Sequence, residues 1–119
     1  HLSHAGHPLN LLYRASENTL EPIPMPPGMV MGLPGGEASA TVEIKMNRCD
    51  RFYTFTDGII EAANSKEEEF GQEQLIQCLR DHLHSPLQES IDAVYSAAVK
   101  HSGNGGQQDD ITLLGFEIT

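Results

Sequence analysis

Asp57-Gly58 and Asp109-Asp110 are the residues of this 119-residue chain whose types and placement could do chemistry. Carboxylates are hard oxygen donors, which Mg²⁺ and Mn²⁺ prefer. Asp57 follows an apolar, aromatic and Thr-containing run, 52–56, that reads as a buried strand. The glycine after it permits a sharp turn or a close backbone approach. Taken alone, Asp-Gly is a turn signal. The second acid site changes its meaning, because Asp109-Asp110 stands beyond a helical region and opens another apolar run.

Other groups invite chemistry and mostly have plainer readings. Glu61 lies four residues after Asp57 and could reach the same site if 59–64 is helical; a solvated Glu is the other reading. Glu67-Glu68-Glu69 reads as a solvated loop or helix start. His1, His4 and His7 are spaced by three, which places them on no common strand face, and Gly6 and Pro8 oppose a helix, so they read as loop histidines. No Gly-x-Ser-x-Gly elbow supports a catalytic triad. Gly103-Asn104-Gly105-Gly106 leads into a strand rather than a helix N-terminus, so it does not read as a phosphate cradle.

Several elements must position the acids. Residues 9–13 form a short strand after a turn at 5–8, where Pro8 removes a donor. Residues 15–40 hold five prolines and form a long surface loop with room for one short strand. Residues 41–46 alternate cleanly, Val42, Ile44 and Met46 against Thr41, Glu43 and Lys45. A polar connection, 47–50, makes this strand the hairpin partner of the one starting at Arg51. On the latter, period two puts Tyr53, Phe55 and Asp57 on one face. Residues 72–84 carry a helical stripe of Leu75, Ile76, Leu79 and Leu83. A second helix starts with Ser85 as N-cap, Pro86 at the first helical position and Gln88 at capping-box spacing. Its stripe is Leu87, Ile91, Val94, Tyr95 and Ala98. After a loop at 102–108, a final strand is apolar on both parities from 111 to 114, which predicts burial on both faces.

Composition narrows the class. The length suits one domain with a modest core. A formal net charge of −10 argues against a nucleic-acid partner, whose phosphates call for a basic face. No apolar run is long enough to span a membrane. The N-terminus has neither a signal-peptide pattern nor an initiator Met, and reads as the start of a piece of a longer protein. Cys49 and Cys78 read as free thiols in a cytoplasmic protein.

Ala5-Gly6-His7-Pro8, Leu11-Leu12-Tyr13, Met31-Gly32-Leu33, Thr56-Asp57-Gly58 with Glu61-Ala62, Phe70-Gly71 and Asp109-Asp110-Ile111-Thr112 occur in that order. The set resembles the C-terminal half of a SpoIIE-like serine/threonine phosphatase, within the metal-dependent type 2C (PPM) superfamily. The resemblance covers nearly the whole chain. It implies an α+β fold, part of an αββα sandwich with antiparallel sheets and two antiparallel helices between strand motifs. It also implies a pair of Mn²⁺ or Mg²⁺ ions that activate water for in-line attack on phosphorus without a phosphoenzyme. Metal ligation carries over to Asp57 and Asp109, with Gly58 allowing close approach at the site. Asp110 is the weaker member of its pair, since neighbours on a strand point to opposite faces. Thr56 and Thr112 read as structural, and His7 as turn-stabilising. The implied substrate is a phosphoserine or phosphothreonine on a regulatory protein, such as an anti-sigma-factor antagonist, and the implied neighbour is an upstream sensor or receiver domain.

The chain departs from that family in three respects. His4 stands where Asn is frequent, and Cys49 where Gly is typical. The Gly-Asp-x-x-Gly-His-Gly motif of the family's N-terminal half, which supplies another metal-binding Asp, is not in this sequence. The chain by itself is therefore expected to bind metal weakly, to turn over little, and to pair its open strand edges and apolar face with a second copy. Two other readings stay open: a non-catalytic regulatory module that binds a phosphoprotein, and an unrelated acidic metal- or calcium-binding domain. The latter lacks the Asp-x-Asp-x-Asp-Gly loop.

Overall fold

In the computed structural model the described residues are 2–3, 9–24, 41–103 and 109–119. Their elements, in chain order, are β1 (Leu2–Ser3), β2 (Leu9–Arg14), β3 (Thr19–Pro22), β4 (Thr41–Val42), β5 (Arg51–Phe55), α1 (Asp57–Ile60), α2 (Gly71–Asp81), α3 (Leu87–Ser102) and β6 (Leu113–Glu117). The turn expected at 5–8, the three N-terminal histidines, residues 25–40 and residues 104–108 lie outside the described residues.

Four strands form one antiparallel sheet in the order β3-β2-β5-β6. The aromatic and Thr-containing run of 51–55 becomes a central strand because it has partners on both sides. Tyr53 stands opposite Leu11 of β2 and Gly115 of β6. Period two then divides the sheet. Arg51, Tyr53 and Phe55 are buried under the helices together with Leu11 and Tyr13, while Phe52 and Thr54 point to the other face. Gly115 lets α3 approach, since a β-carbon there would come within 2.9 Å of Ile91 Cδ1 and 3.0 Å of Leu87 Cδ1.

The predicted stripes bring α2 and α3 onto one face of the sheet. Leu75, Leu79, Val94 and Ala98 are fully buried, and Leu83 nearly so. Each fully buried Leu contributes roughly 1.5–3 kcal/mol toward docking the helices on the sheet. Arg51 holds their connection. Its Nε meets Glu117 Oε2 at 2.5 Å, Nη1 donates to the Leu83 carbonyl at 3.1 Å, and Nη2 donates to the Ser85 carbonyl at 2.8 Å.

Five expectations are corrected. Residues 41–46 do not form a hairpin with β5. Only Thr41–Val42 is a strand, and it pairs with β1 in a separate two-stranded sheet. Both edges of β5 are already occupied, and the buried Asp50 pins the 47–50 turn elsewhere: its carboxylate accepts from the Asn47 and Ala15 N–H groups and from Arg14 Nη1. Residues 111–114 are not buried on both faces. Leu114 and Phe116 are 50% and 54% exposed, because among the described residues only one side of the sheet is covered. Asp57 does not continue the Tyr53–Phe55 face; it opens the single turn α1 and is exposed. Ser85 is not the N-cap of α3. Pro86 occupies that position, no side chain caps the helix, and Gln88 bonds to Asp92 instead. Tyr95 falls off the buried stripe onto the surface.

Other expectations hold. The fold is α+β with an antiparallel sheet and two helices between the acid motifs. Both cysteines are free, and Cys49 takes the positive φ (67°) that suits the glycine typical at its position. Glu67–Glu69 is an exposed stretch, organised by the Asn64 side chain, which accepts from the Lys66 and Glu68 N–H groups. Among the described residues no helix is long and apolar enough to cross a membrane.

Candidate metal centre

The two acid motifs meet where the β5–β6 ladder runs out. Its last register pair is Phe55 with Leu113. One step beyond, the Thr56 N–H donates to the Thr112 carbonyl at 3.0 Å. The Thr56 hydroxyl then accepts the Thr112 N–H at 2.9 Å and donates to the Asp110 carbonyl at 3.3 Å. After this stitch the two chains part, one into α1 and the other back through Asp110 and Asp109.

Gly58 faces the same backbone. A β-carbon on it would stand 2.5 Å from the Asp110 carbonyl oxygen, 3.2 Å from its carbonyl carbon and 3.4 Å from the Asp109 oxygen. Real β-carbons do not approach so closely, so the contact requires glycine. Gly58 itself is buried, whereas Asp57, Asp109 and Asp110 are exposed at the rim. The Asp109 carboxylate accepts the Asp110 N–H at 2.8 Å, which orients one of its oxygens locally.

The two acid motifs singled out in the sequence meet in the structure through backbone contact at Gly58 and through the Thr56 hydroxyl. Gly58 touches Asp109 and Asp110, and Asp57 is its immediate neighbour. Glu61 ends α1, with its N–H on the Asp57 carbonyl at 3.0 Å and its side chain exposed. Among the described residues no three His, Cys, Asp or Glu side chains form a group able to hold one metal ion. The donor types suit a hard divalent cation: the carbonyl oxygens of Asp109 and Asp110 face the Gly58 cradle, and exposed carboxylates stand on the adjoining residues. Burial and the nearby Asp81 push the Cys78 thiol up, which disfavours its thiolate form.

In the sequence Thr56 reads as structural, and neither Asp50 nor Arg51 signals a role. The Thr56 side chain makes two bonds across to the other motif, to the Asp110 carbonyl and the Thr112 N–H. Its position directly before Asp57 was the available signal.

Comparison with known proteins adds the family. The sequence model of Stage II sporulation protein E (SpoIIE) matches residues 1–119. The chain belongs to the SpoIIE family. Among solved structures, this SpoIIE chain is similar to the "SiaA-PP2C domain of Pseudomonas aeruginosa", with a TM-score of 0.73 and 23% identity. The match covers 93% of this chain and 43% of that one, so this chain spans less than half of the solved domain's length. At that identity the likeness concerns the fold. No match is found among curated proteins.

Proposed function

We propose that this SpoIIE chain is part of a metal-dependent protein serine/threonine phosphatase that hydrolyses phosphoserine or phosphothreonine on a regulatory protein. The observation that carries the reading is the contact of Gly58 with the Asp109–Asp110 backbone. It brings two aspartate motifs, 52 residues apart in sequence, to one rim.

Asp57 and Asp109 are the ligands in this reading, and Asp110 is the weaker member of its pair. Mn²⁺ or Mg²⁺, when bound, supplies the Lewis acidity that makes water nucleophilic toward phosphorus. The chain's own contribution is placement. β5 and β6 are hydrogen-bonded neighbours, and the segments that bear the acids leave from their adjacent ends, Asp57 one residue past Thr56 and Asp109-Asp110 just before Ile111-Thr112. The exposure of Asp57, Asp109 and Asp110 leaves their oxygens accessible to an ion and a phosphoprotein.

The partners that go with this function are a phosphoprotein, such as an anti-sigma-factor antagonist, and an upstream sensor or receiver domain, in the cytoplasm. Nucleic acid is not among them, since a charge of −10 repels phosphates. A second reading, a non-catalytic phosphoprotein-binding module, is favoured by the local bond of the Asp109 carboxylate to its neighbour's N–H, an arrangement that a simple turn also produces.

The test is hydrolysis of a phosphothreonine peptide by the full-length protein with and without Mn²⁺, beside Asp57→Asn and Asp109→Asn. Mn²⁺-dependent turnover that both variants abolish supports the enzyme. Peptide binding indifferent to Mn²⁺ and to both substitutions supports the binding module.

A further inference from the structure

We propose that Thr56 is a positioning residue whose hydroxyl sets the affinity of the site for its divalent cation. The inference rests on the metal-dependent reading above. Three observations carry it. The ladder between β5 and β6 ends at Phe55 and Leu113, so strand pairing alone does not hold the acid motifs together. Beyond that pair, the Thr56 hydroxyl bonds twice to the opposite chain, to the Thr112 N–H and to the Asp110 carbonyl. Its two partners bracket Ile111 and lead directly into the pair of acids. On the near side, the next residues are Asp57 and Gly58, and the latter is the one in contact with Asp110.

A hydroxyl that both donates and accepts fixes a distance and a direction at once. Here it fixes the Asp109–Asp110 backbone relative to the first turn of α1, where Asp57 stands. Both hydroxyl bonds lie near solvent. Water can replace them, so their loss costs the site its geometry while the fold persists. Thr56 does not touch the reacting atoms; it acts through the backbone that presents the ligands. Outer-shell partners of this sort alter metal affinity by about tenfold or more.

The experiment measures Mn²⁺ binding by calorimetry, and Mn²⁺ activation alongside it, in the full-length protein. Thr56→Val keeps the branched shape and the backbone bond to Thr112 but removes the hydroxyl. It is expected to raise the Mn²⁺ Kd about tenfold, with turnover recovering at saturating Mn²⁺. Thr56→Ser is expected to restore the wild-type Kd. Tyr53→Phe, which removes a buried hydroxyl bonded to Ser90, is expected to lower the Tm without moving the Kd, and so separates positioning from general destabilisation. If Thr56→Val does not fold, the difference between Thr56→Ser and Thr56→Ala decides. An unchanged Kd in the hydroxyl-free variants, with binding abolished in Asp57→Asn, overturns the role of Thr56 and leaves the metal site standing. Binding unchanged in Asp57→Asn as well overturns the metal reading, and this inference with it.

Discussion

Gly58 and the Asp110 carbonyl oxygen are so close that a β-carbon at Gly58 would stand 2.5 Å from that oxygen. The opposing atom is backbone, which cannot swing aside as a side chain could. Gly58→Ala is therefore expected to push the Asp109–Asp110 segment away from Asp57. The overpacking should cost about 1–3 kcal/mol and abolish stimulation by Mn²⁺. Thermal denaturation together with Mn²⁺ titration checks both parts; a variant with wild-type Tm and wild-type Mn²⁺ response would contradict the contact.

Asp50 makes stability depend on acid. Burial alone would push its carboxyl up. The Asn47 and Ala15 N–H groups and the Arg14 guanidinium, 2.9 Å away, outweigh burial and hold it below its ordinary value of 3.8. A carboxyl depressed in the folded state contributes stability that is fully present above its unfolded value and is lost as pH falls through the folded one. Urea midpoints are expected to be flat with respect to this group at neutral pH and to drop below about pH 4. Asp50→Asn should remove that part of the acid dependence and cost about 2–3 kcal/mol at pH 7.

Arg51 is a clamp between the sheet and the helical connection. Replacing it with Met keeps the apolar stem but leaves Glu117 and the carbonyls of Leu83 and Ser85 without their donor. The expected loss is about 2–4 kcal/mol, read from chemical denaturation. The candidate metal site proposed above lies at the other end of the β5–β6 pair, so Mn²⁺ affinity of the folded variant should remain at the wild-type value.

Among the described residues nothing covers the sheet face opposite the helices, which presents Phe52 and Phe116, their ring centroids 6.1 Å apart, with Leu114 and Ile118. Residues 1–119 purified alone are expected to self-associate through this face, and to hydrolyse phosphopeptide far more slowly than the full-length protein. Sedimentation across a concentration series checks the first point, and Phe116→Asp should shift the chain toward monomer. Full turnover by the isolated residues with Mn²⁺ would refute the second.

Local pattern made much of this protein legible. The period-two run at 51–55, the stripes at Leu75–Leu79 and Val94–Ala98, and the two aspartate motifs were all readable, because apolar periodicity and turn chemistry act between near neighbours. Partner choice was not. Residues 41–46 alternate as a strand should, and 42, 44 and 46 are indeed the more buried positions. Yet β5 pairs with β2 and β6 instead, since strand pairing is decided by long-range competition for its two edges and by the buried charge of Asp50. The apolar character of 111–114 likewise announced burial without saying what would cover Leu114.

By itself, then, the sequence determined the α+β class, the two helices, the free cysteines and the candidate acids. Only the tertiary structure decided that Asp57 leaves the strand to start a helical turn and that Gly58 meets Asp110. It also showed that Thr56, a residue the sequence marked as scaffolding, ties the two motifs together. The physical reason is that a hydrogen bond between residues 54 positions apart leaves no local trace: a Thr before an Asp looks the same whether its hydroxyl faces water or the carbonyl of Asp110.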